Sequence, residues 1–318
     1  MRWVIVGSSG YIGSALSRYL LAAGDTVISV SRRSEGPAGT IHHQVETLSL
    51  KDCAGLFLAG DRVIYAAGIA SAGECRRRPD MAESVNCHFP AELLDAAAVA
   101  QADSFLYLSS VKAVTPPNGQ LARENDGQPA TDAYGASKWS AEQKMLASPA
   151  KIRVNVLRPA AVYGEYQGGC DSELVGTTPV AKKRAMAWRQ KFRLWGRIIP
   201  RVPATGFRSF VALDDLLSAI RLIVESRCDR EVFIAAEPQY CDLSLIGSAA
   251  SGRIMKNSYF LAALLGVVIR SLSVLGVKTG LLEVGRSELY SSARLRTTLN
   301  WRPLRRYRQF LQAVNEGS

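Results

Sequence analysis

The chain has 318 residues and a mass of 34.5 kDa, a length that suggests about two lobes of ~150 residues each. With 47% hydrophobic and 21% charged residues, its composition excludes a disordered, collagen-like or disulfide-scaffold chain. Lys and Arg exceed Asp and Glu by 39 − 28 = 11, a surplus that favours anionic partners: a phosphorylated ligand, a nucleic acid or an acidic membrane face.

Arg2-Trp3-Val4-Ile5-Val6 is a short β-rich run leading into Gly7-Ser8-Ser9-Gly10-Tyr11-Ile12-Gly13. Ile12, Leu16 and Leu20 then recur at helical spacing up to Gly24, a C-terminal cap, and Thr26–Val30 supplies the next strand. Strand, glycine loop, helix, strand is a unit of dinucleotide-binding type. Its glycines permit a tight turn, close approach of backbone to a pyrophosphate, and packing of helix on strand. The helix N-terminus offers free N–H groups and a positive dipole end to the phosphates. Ser31, Arg32 and Arg33 follow the second strand, where an adenosine ribose would lie.

Further on, Asp61–Tyr65 is an apolar strand that ends in the small residues Ala66, Ala67 and Gly68, and Asn86 precedes a helical pattern. Phe105–Leu108 is a buried strand delivering Ser109 and Ser110 at its C-terminal end, the edge where ligands lie in open α/β sheets. Thr131 or Asp132 then caps a helix that carries Tyr134 and Lys138. Four residues apart, these two share one helix face, about 5–6 Å apart at Cβ. A tyrosine hydroxyl with a pKa near ~10 is a poor acid-base group at neutral pH. A neighbouring ammonium and a cationic nicotinamide ring would favour its anion and lower that value. Ser110 would hold a substrate oxygen within reach of the Tyr134 hydroxyl.

The Gly-x-x-Gly-x-x-Gly spacing, followed in order by Ser110, Tyr134 and Lys138, resembles the extended branch of the short-chain dehydrogenase/reductase superfamily. That branch is the NAD(P)-dependent nucleotide-sugar epimerase/dehydratase family, and its 4-ketoreductases and 4-epimerases are the members that this chain resembles. Two later blocks are similar to family segments: Leu157-Arg158-Pro159 through Gly164, and Arg208-Ser209-Phe210 through Leu216. Leu299-Asn300-Trp301-Arg302-Pro303 resembles the family's closing packing motif. The resemblance implies a Rossmann-type α/β fold, a doubly wound parallel sheet with a smaller C-terminal substrate-binding lobe. Residues 1–164, with a return segment 206–236, would form the NAD(P)-binding domain, and 165–205 with 237–318 the smaller lobe. It also implies cofactor contacts from Gly7, Gly10, Tyr11, Ile12, Gly13, Ala66, Ala67, Gly68, Lys138 and Pro159. Asn86, Ser110, Tyr134 and Arg208 would contact the substrate, Arg208 through its diphosphate, a bidentate contact that Lys could not make.

The chain departs from the family pattern in three places. The acid that often grips the ribose hydroxyls of NAD is replaced by Ser31-Arg32-Arg33, which favours NADP(H) over NAD(H). An adenine-contacting Asp is replaced near Thr47-Leu48. Val111-Lys112 stands where 4,6-dehydratases carry an Asp-Glu pair, which argues against dehydration. The expected reaction is reduction of a 4-keto nucleotide-diphosphate sugar. A 4-epimerase with retained NAD is the alternative. A non-catalytic NAD(P)-binding scaffold is the third reading, opposed by the intact Ser110, Tyr134 and Lys138.

Residues 181–208 hold nine Lys or Arg and no acid, interleaved with Trp188, Phe192 and Trp195. A solvated basic helix, a diphosphate-binding patch and a peripheral contact with an anionic membrane all fit this run. Nucleic acid is not the expected partner, because no nucleic-acid-binding motif accompanies the charge. Residues 259–277 are apolar around Arg270, short for a span of ~20 apolar residues, so two core helices of the smaller lobe are expected there. Six scattered cysteines (Cys53, Cys75, Cys87, Cys170, Cys228, Cys241), with no CxxC and no ligand spacing with His, read as reduced thiols. Together with the lack of a leader segment, they predict a cytoplasmic protein without a metal centre. Oligomeric state is not legible, although the resemblance allows a homodimer.

Overall fold

The computed structural model describes residues 1–47, 49–53, 55–164, 200–274 and 285–316. Its centre is a seven-stranded parallel sheet. The strands are β1 (Arg2–Val6), β2 (Thr26–Ser31), β3 (Ile41–Gln44), β4 (Arg62–Tyr65), β5 (Ser104–Leu108), β6 (Arg153–Pro159) and β10 (Glu231–Ala235). They lie side by side as β10-β6-β5-β4-β1-β2-β3. Sequence order reverses between β1 and β4, so the crevice of this doubly wound sheet opens at their C-terminal ends.

Burial on both faces explains why the central strands read as continuous β-branched and aromatic runs. In β1, Trp3 and Ile5 join one hydrophobic core with α1 (Tyr11–Ala22) and α4 (Leu213–Glu225). Val4 and Val6 point the other way, into a second core with α2 (Phe89–Val99) and α3 (Ala133–Ala147). The two-residue period of the strand thus divides one short segment between two cores. Trp301 closes the first core from the C-terminal end, its indole N–H donating to the Asp215 carbonyl at 3.0 Å.

Outside the main sheet the strands form short pairings. β7 (Ala161–Tyr163) runs parallel to β9 (Arg208–Ala212), which pairs antiparallel with β11 (Tyr240–Cys241). Separately, β8 (Arg201–Pro203) runs parallel to β12 (Lys256–Ser258). Helix α5 (Leu243–Ser251) packs against α7 (Tyr307–Glu316), and the Tyr307 ring stacks on Phe210 at 4.0 Å.

Two expectations change here. Residues 259–274 form one helix, α6 (Tyr259–Val274), not two, and α6 is not a core helix. It packs on β8, while Tyr259, Phe260, Leu264 and Val267 stay exposed. Residues 275–277 lie outside the described residues, as does most of the basic run, 181–199. Among the described residues no helix is long and apolar enough to cross a membrane.

Candidate active site

All strands of this sheet being parallel, the C-terminal ends of β1, β4, β5 and β6 share one edge, where Gly7, Ala66, Ser110 and Pro159 lie. Gly7 leaves β1 at φ +94°, with its N–H donating to the Val30 carbonyl at 2.9 Å. A Cβ on Gly7 would sit 2.4 Å from the Ala67 nitrogen, so the turn presses directly against the end of β4. A Cβ on Gly13 would sit 2.3 Å from the Gly7 carbonyl oxygen, which is why the first turn of α1 can close onto the loop. Gly10 is the N-cap of α1 and supplies no side-chain cap, so the helix N-terminus stays open to an anion. Ser8 is fully buried in this loop, and its hydroxyl has no partner among the described residues. A cradle of glycine backbone, an uncapped helix start and an orphaned hydroxyl fit the pyrophosphate of a dinucleotide. Ile12 packs against the first core, and the Tyr11 hydroxyl reaches across to the Gly164 carbonyl.

At the end of β2, Ser31 is buried and its hydroxyl accepts from the Arg33 N–H at 3.2 Å. Arg32 and Arg33 are exposed beyond it. Neither forms an ion pair among the described residues, so both guanidinium groups are available to an anionic ligand at this edge.

Tyr134 and Lys138 lie on α3. Asp132 is the cap, its carboxylate accepting from the Tyr134 and Gly135 N–H groups, each at 3.1 Å. Gly135 is required because a Cβ there would lie 2.3 Å from the Lys112 carbonyl oxygen. That close approach brings the first turn of α3 onto the loop after β5. The Ser110 and Tyr134 hydroxyls are near enough to influence one another, and the Ser110 hydroxyl accepts from the Lys112 N–H at 3.1 Å. Lys138 is buried, donating from Nζ to the Leu108 carbonyl at 2.9 Å and lying 4.7 Å from the centre of the Tyr107 ring. Gly68 faces it: a Cβ there would come within 3.4 Å of Lys138 Nζ. Ala66 donates its N–H to the Val6 carbonyl at 2.8 Å, and Ala67 is buried beside Gly7. Pro159 ends β6, in register with Ala235.

Electrostatics set the resting protonation of these groups. Burial pulls Lys138 down to about 8, partly countered by the carboxylate of Glu142. Burial raises the Tyr134 hydroxyl, and the neighbouring Ser110 hydroxyl only partly offsets this. Desolvation is thus the dominant influence on the Tyr134 hydroxyl.

Asn86 needs a correction. It does not open a regular helix but lies in a wide π turn, Ser84–His88, just before α2. It is fully buried, its Oδ1 accepting from the Ile69 N–H at 2.8 Å and its Nδ2 donating to the Ile69 carbonyl and the Ser137 hydroxyl. With the amide so engaged, Asn86 supports the site from behind instead of facing a substrate. Arg208, on β9, is paired with Glu288 at 3.1 Å, and Lys112 reaches the same carboxylate oxygen at 2.5 Å.

Behind Lys138 lies a network that motif reading missed. Glu142 and Arg158 form a buried ion pair, Arg158 Nε donating to both carboxylate oxygens at 2.9 and 3.1 Å. The Ser109 hydroxyl donates to the same carboxylate, and Arg158 Nη1 donates to the Glu124 carbonyl at 2.8 Å. Glu142 stands four residues beyond Lys138 on one helix face, a spacing that could have revealed it.

The sequence and the fold have known relatives. The dTDP-6-deoxy-L-talose 4-dehydrogenase (NAD(P)(+)) of Kitasatospora kifunensis is 28% identical over 235 residues, 71% of this chain and 70% of that protein. The fold matches UDP-glucose 4-epimerase of Thermotoga maritima, solved with UDP-glucose, at a TM-score of 0.72 and 19% identity, covering 99% of this chain and 98% of that one. It also matches RMD of Pseudomonas aeruginosa, solved with NADPH, at a TM-score of 0.68 and 22% identity, over 99% and 98% of the two chains. Residues 3–235, which span the glycine cradle, Ser110, Tyr134, Lys138 and the last strand of the main sheet, match the family model for NAD-dependent epimerases and dehydratases, and the chain belongs to that family.

Proposed function

We propose that the protein reduces the 4-keto group of a nucleotide-diphosphate sugar, with NADPH as its preferred cofactor. The observation that carries this reading is the meeting of Ser110, Tyr134 and Lys138 beside the glycine cradle, with Arg32 and Arg33 exposed at the end of β2. When bound, the nicotinamide supplies the hydride. The other tasks fall to side chains. Burial keeps the proton on the Tyr134 hydroxyl, which suits a donor to the oxygen of a ketone that is gaining a hydride. Ser110 orients that oxygen. The Lys138 ammonium favours the tyrosinate left behind, and it has donors to spare for a ribose hydroxyl beyond its bond to Leu108. Arg208 would take the substrate's diphosphate with its planar fork, and Arg32 and Arg33 the 2′-phosphate of the cofactor.

Incubation of the purified protein with a UDP-4-keto-6-deoxy sugar and NADPH tests this reading. Oxidation of NADPH, coupled to loss of the ketone, is expected. No oxidation, together with NAD held tightly through purification, would replace the reductase with a 4-epimerase that uses the same three side chains.

A further inference from the structure

Two long stretches of the chain contain no acidic residue. Residues 174–213 carry nine Lys or Arg, and residues 243–282 carry Arg253, Lys256, Arg270 and Lys278. The fold brings the two stretches together: β8 of the first runs parallel to β12 of the second, with Arg201 opposite Lys256. Arg201, Arg253 and Lys256 are exposed, and none of them forms an ion pair among the described residues.

Helix α6 begins at the residue after β12, and its outward side is apolar. Phe260, Leu264 and Val267 recur at i, i+4 and i+7, forming one stripe, and they are 77%, 54% and 61% exposed. Tyr259 at 82% and Ile254 at 81% extend the patch to the foot of the helix, beside the three cations. Scattered exposed apolar residues are ordinary, but a contiguous apolar patch rimmed by charge marks an interaction surface.

We infer that this end of the smaller lobe docks on an anionic lipid bilayer. In that pose α6 lies in the plane of the interface. Phe260, Leu264 and Val267 enter the boundary between headgroups and acyl chains, and Arg201, Arg253 and Lys256 meet the headgroup phosphates. The sign of the charge selects the occupant. A second copy would set the same basic rim against itself on chains of net charge +11, whereas an anionic surface attracts it. At 16 residues α6 is about 24 Å long, short of the ~30 Å hydrocarbon core, so it lies on the membrane and does not cross it.

Co-sedimentation of the full chain with vesicles of phosphatidylcholine, alone or mixed with phosphatidylglycerol, decides the matter. Binding to the mixed vesicles is expected, falling with added salt, with little binding to phosphatidylcholine alone. Replacing Phe260 and Leu264 together by Asp should abolish binding. Changing Arg253 and Lys256 to Ala should weaken it about thirtyfold, at about fivefold for each cation near the surface. All four side chains are exposed, so both variants should keep the wild-type melting temperature, and the charge variant stands as an independent test if the apolar one does not. Absence of binding to the mixed vesicles, or equal binding to both kinds, overturns the proposal. So does a wild-type dimer in sedimentation velocity that the Phe260 and Leu264 change converts to monomer.

Discussion

Replacing Glu142 by Gln keeps the shape of the side chain and removes its charge. In the wild type, Arg158 is almost fully buried, with Nε and Nη2 on the Glu142 carboxylate and Nη1 on a backbone carbonyl. Removing one partner of such a pair leaves an uncompensated buried charge, at a cost of about 3–5 kcal/mol. For a chain of this size, about 2 °C of melting temperature accompanies each kcal/mol, so a loss of roughly 6–10 °C is expected in a thermal scan. The same substitution reaches the active site. Glu142 holds Lys138 above the value that burial alone would give it, so without that carboxylate Lys138 falls below about 8. Lys138 loses its charge as pH rises through its pKa, and the alkaline limb of kcat/KM should therefore move to lower pH. Changing Glu142 to Leu together with Arg158 to Met separates the two effects. Most of the stability should return, because an apolar pair of similar volume replaces the ions, while the alkaline limb should stay shifted. A melting temperature within about 2 °C of wild type in Glu142→Gln, or an unmoved alkaline limb, would refute the reasoning.

Tyr134→Phe removes the proposed proton donor with little change of shape. It should lower kcat by about 10²–10⁴ with an unchanged melting temperature, and turnover within a few-fold of wild type would refute the assignment. Changing Arg32 and Arg33 to Ala should erase a preference for NADPH over NADH of about tenfold to a hundredfold while sparing NADH affinity, as read by fluorescence titration. Glu237 is buried, accepts from the Tyr307 N–H and the Tyr163 hydroxyl, and is pushed up from 4.5 to about 7 by its burial. An acid whose folded value is raised contributes stability at low pH and loses it as pH climbs from about 4.5 to about 7. Melting curves of Glu237→Gln across that window should therefore fall less steeply than those of the wild type; identical slopes would count against the shift.

What was legible in the sequence was local. Trp3 through Val6 reads as a buried strand because successive residues face two cores. Gly7 and Gly13 read as a cradle because the chain cannot turn or close there with a Cβ. Tyr134 and Lys138 sit four apart on a helix, so their juxtaposition needed no tertiary information. Asn86 misled because residue type says nothing of which neighbours use its amide, and here Ile69 and Ser137 do. The apolar run at 259–274 misled for a related reason. Hydrophobicity predicts burial only if the fold supplies enough surface to cover every side of the helix, and Phe260, Leu264 and Val267 stay exposed.

The charges around Glu288 show the same limit from the other side. Arg208 and Lys112 read as two separate cations on separate segments, and Glu288 drew no attention at all. In the folded chain one oxygen of Glu288 accepts from Lys112 and lies 3.1 Å from an Arg208 nitrogen, although 80 residues separate it from Arg208 and 176 from Lys112. Three charges then share one spot with a net value of +1, and the buried carboxylate marks the point at which an anionic oxygen can be held by both cations. Lys112 is nearly half exposed, Arg208 is less so and Glu288 is largely covered, so one carboxylate gathers two cations from distant segments. That cluster arises from contacts that no local pattern in the sequence encodes.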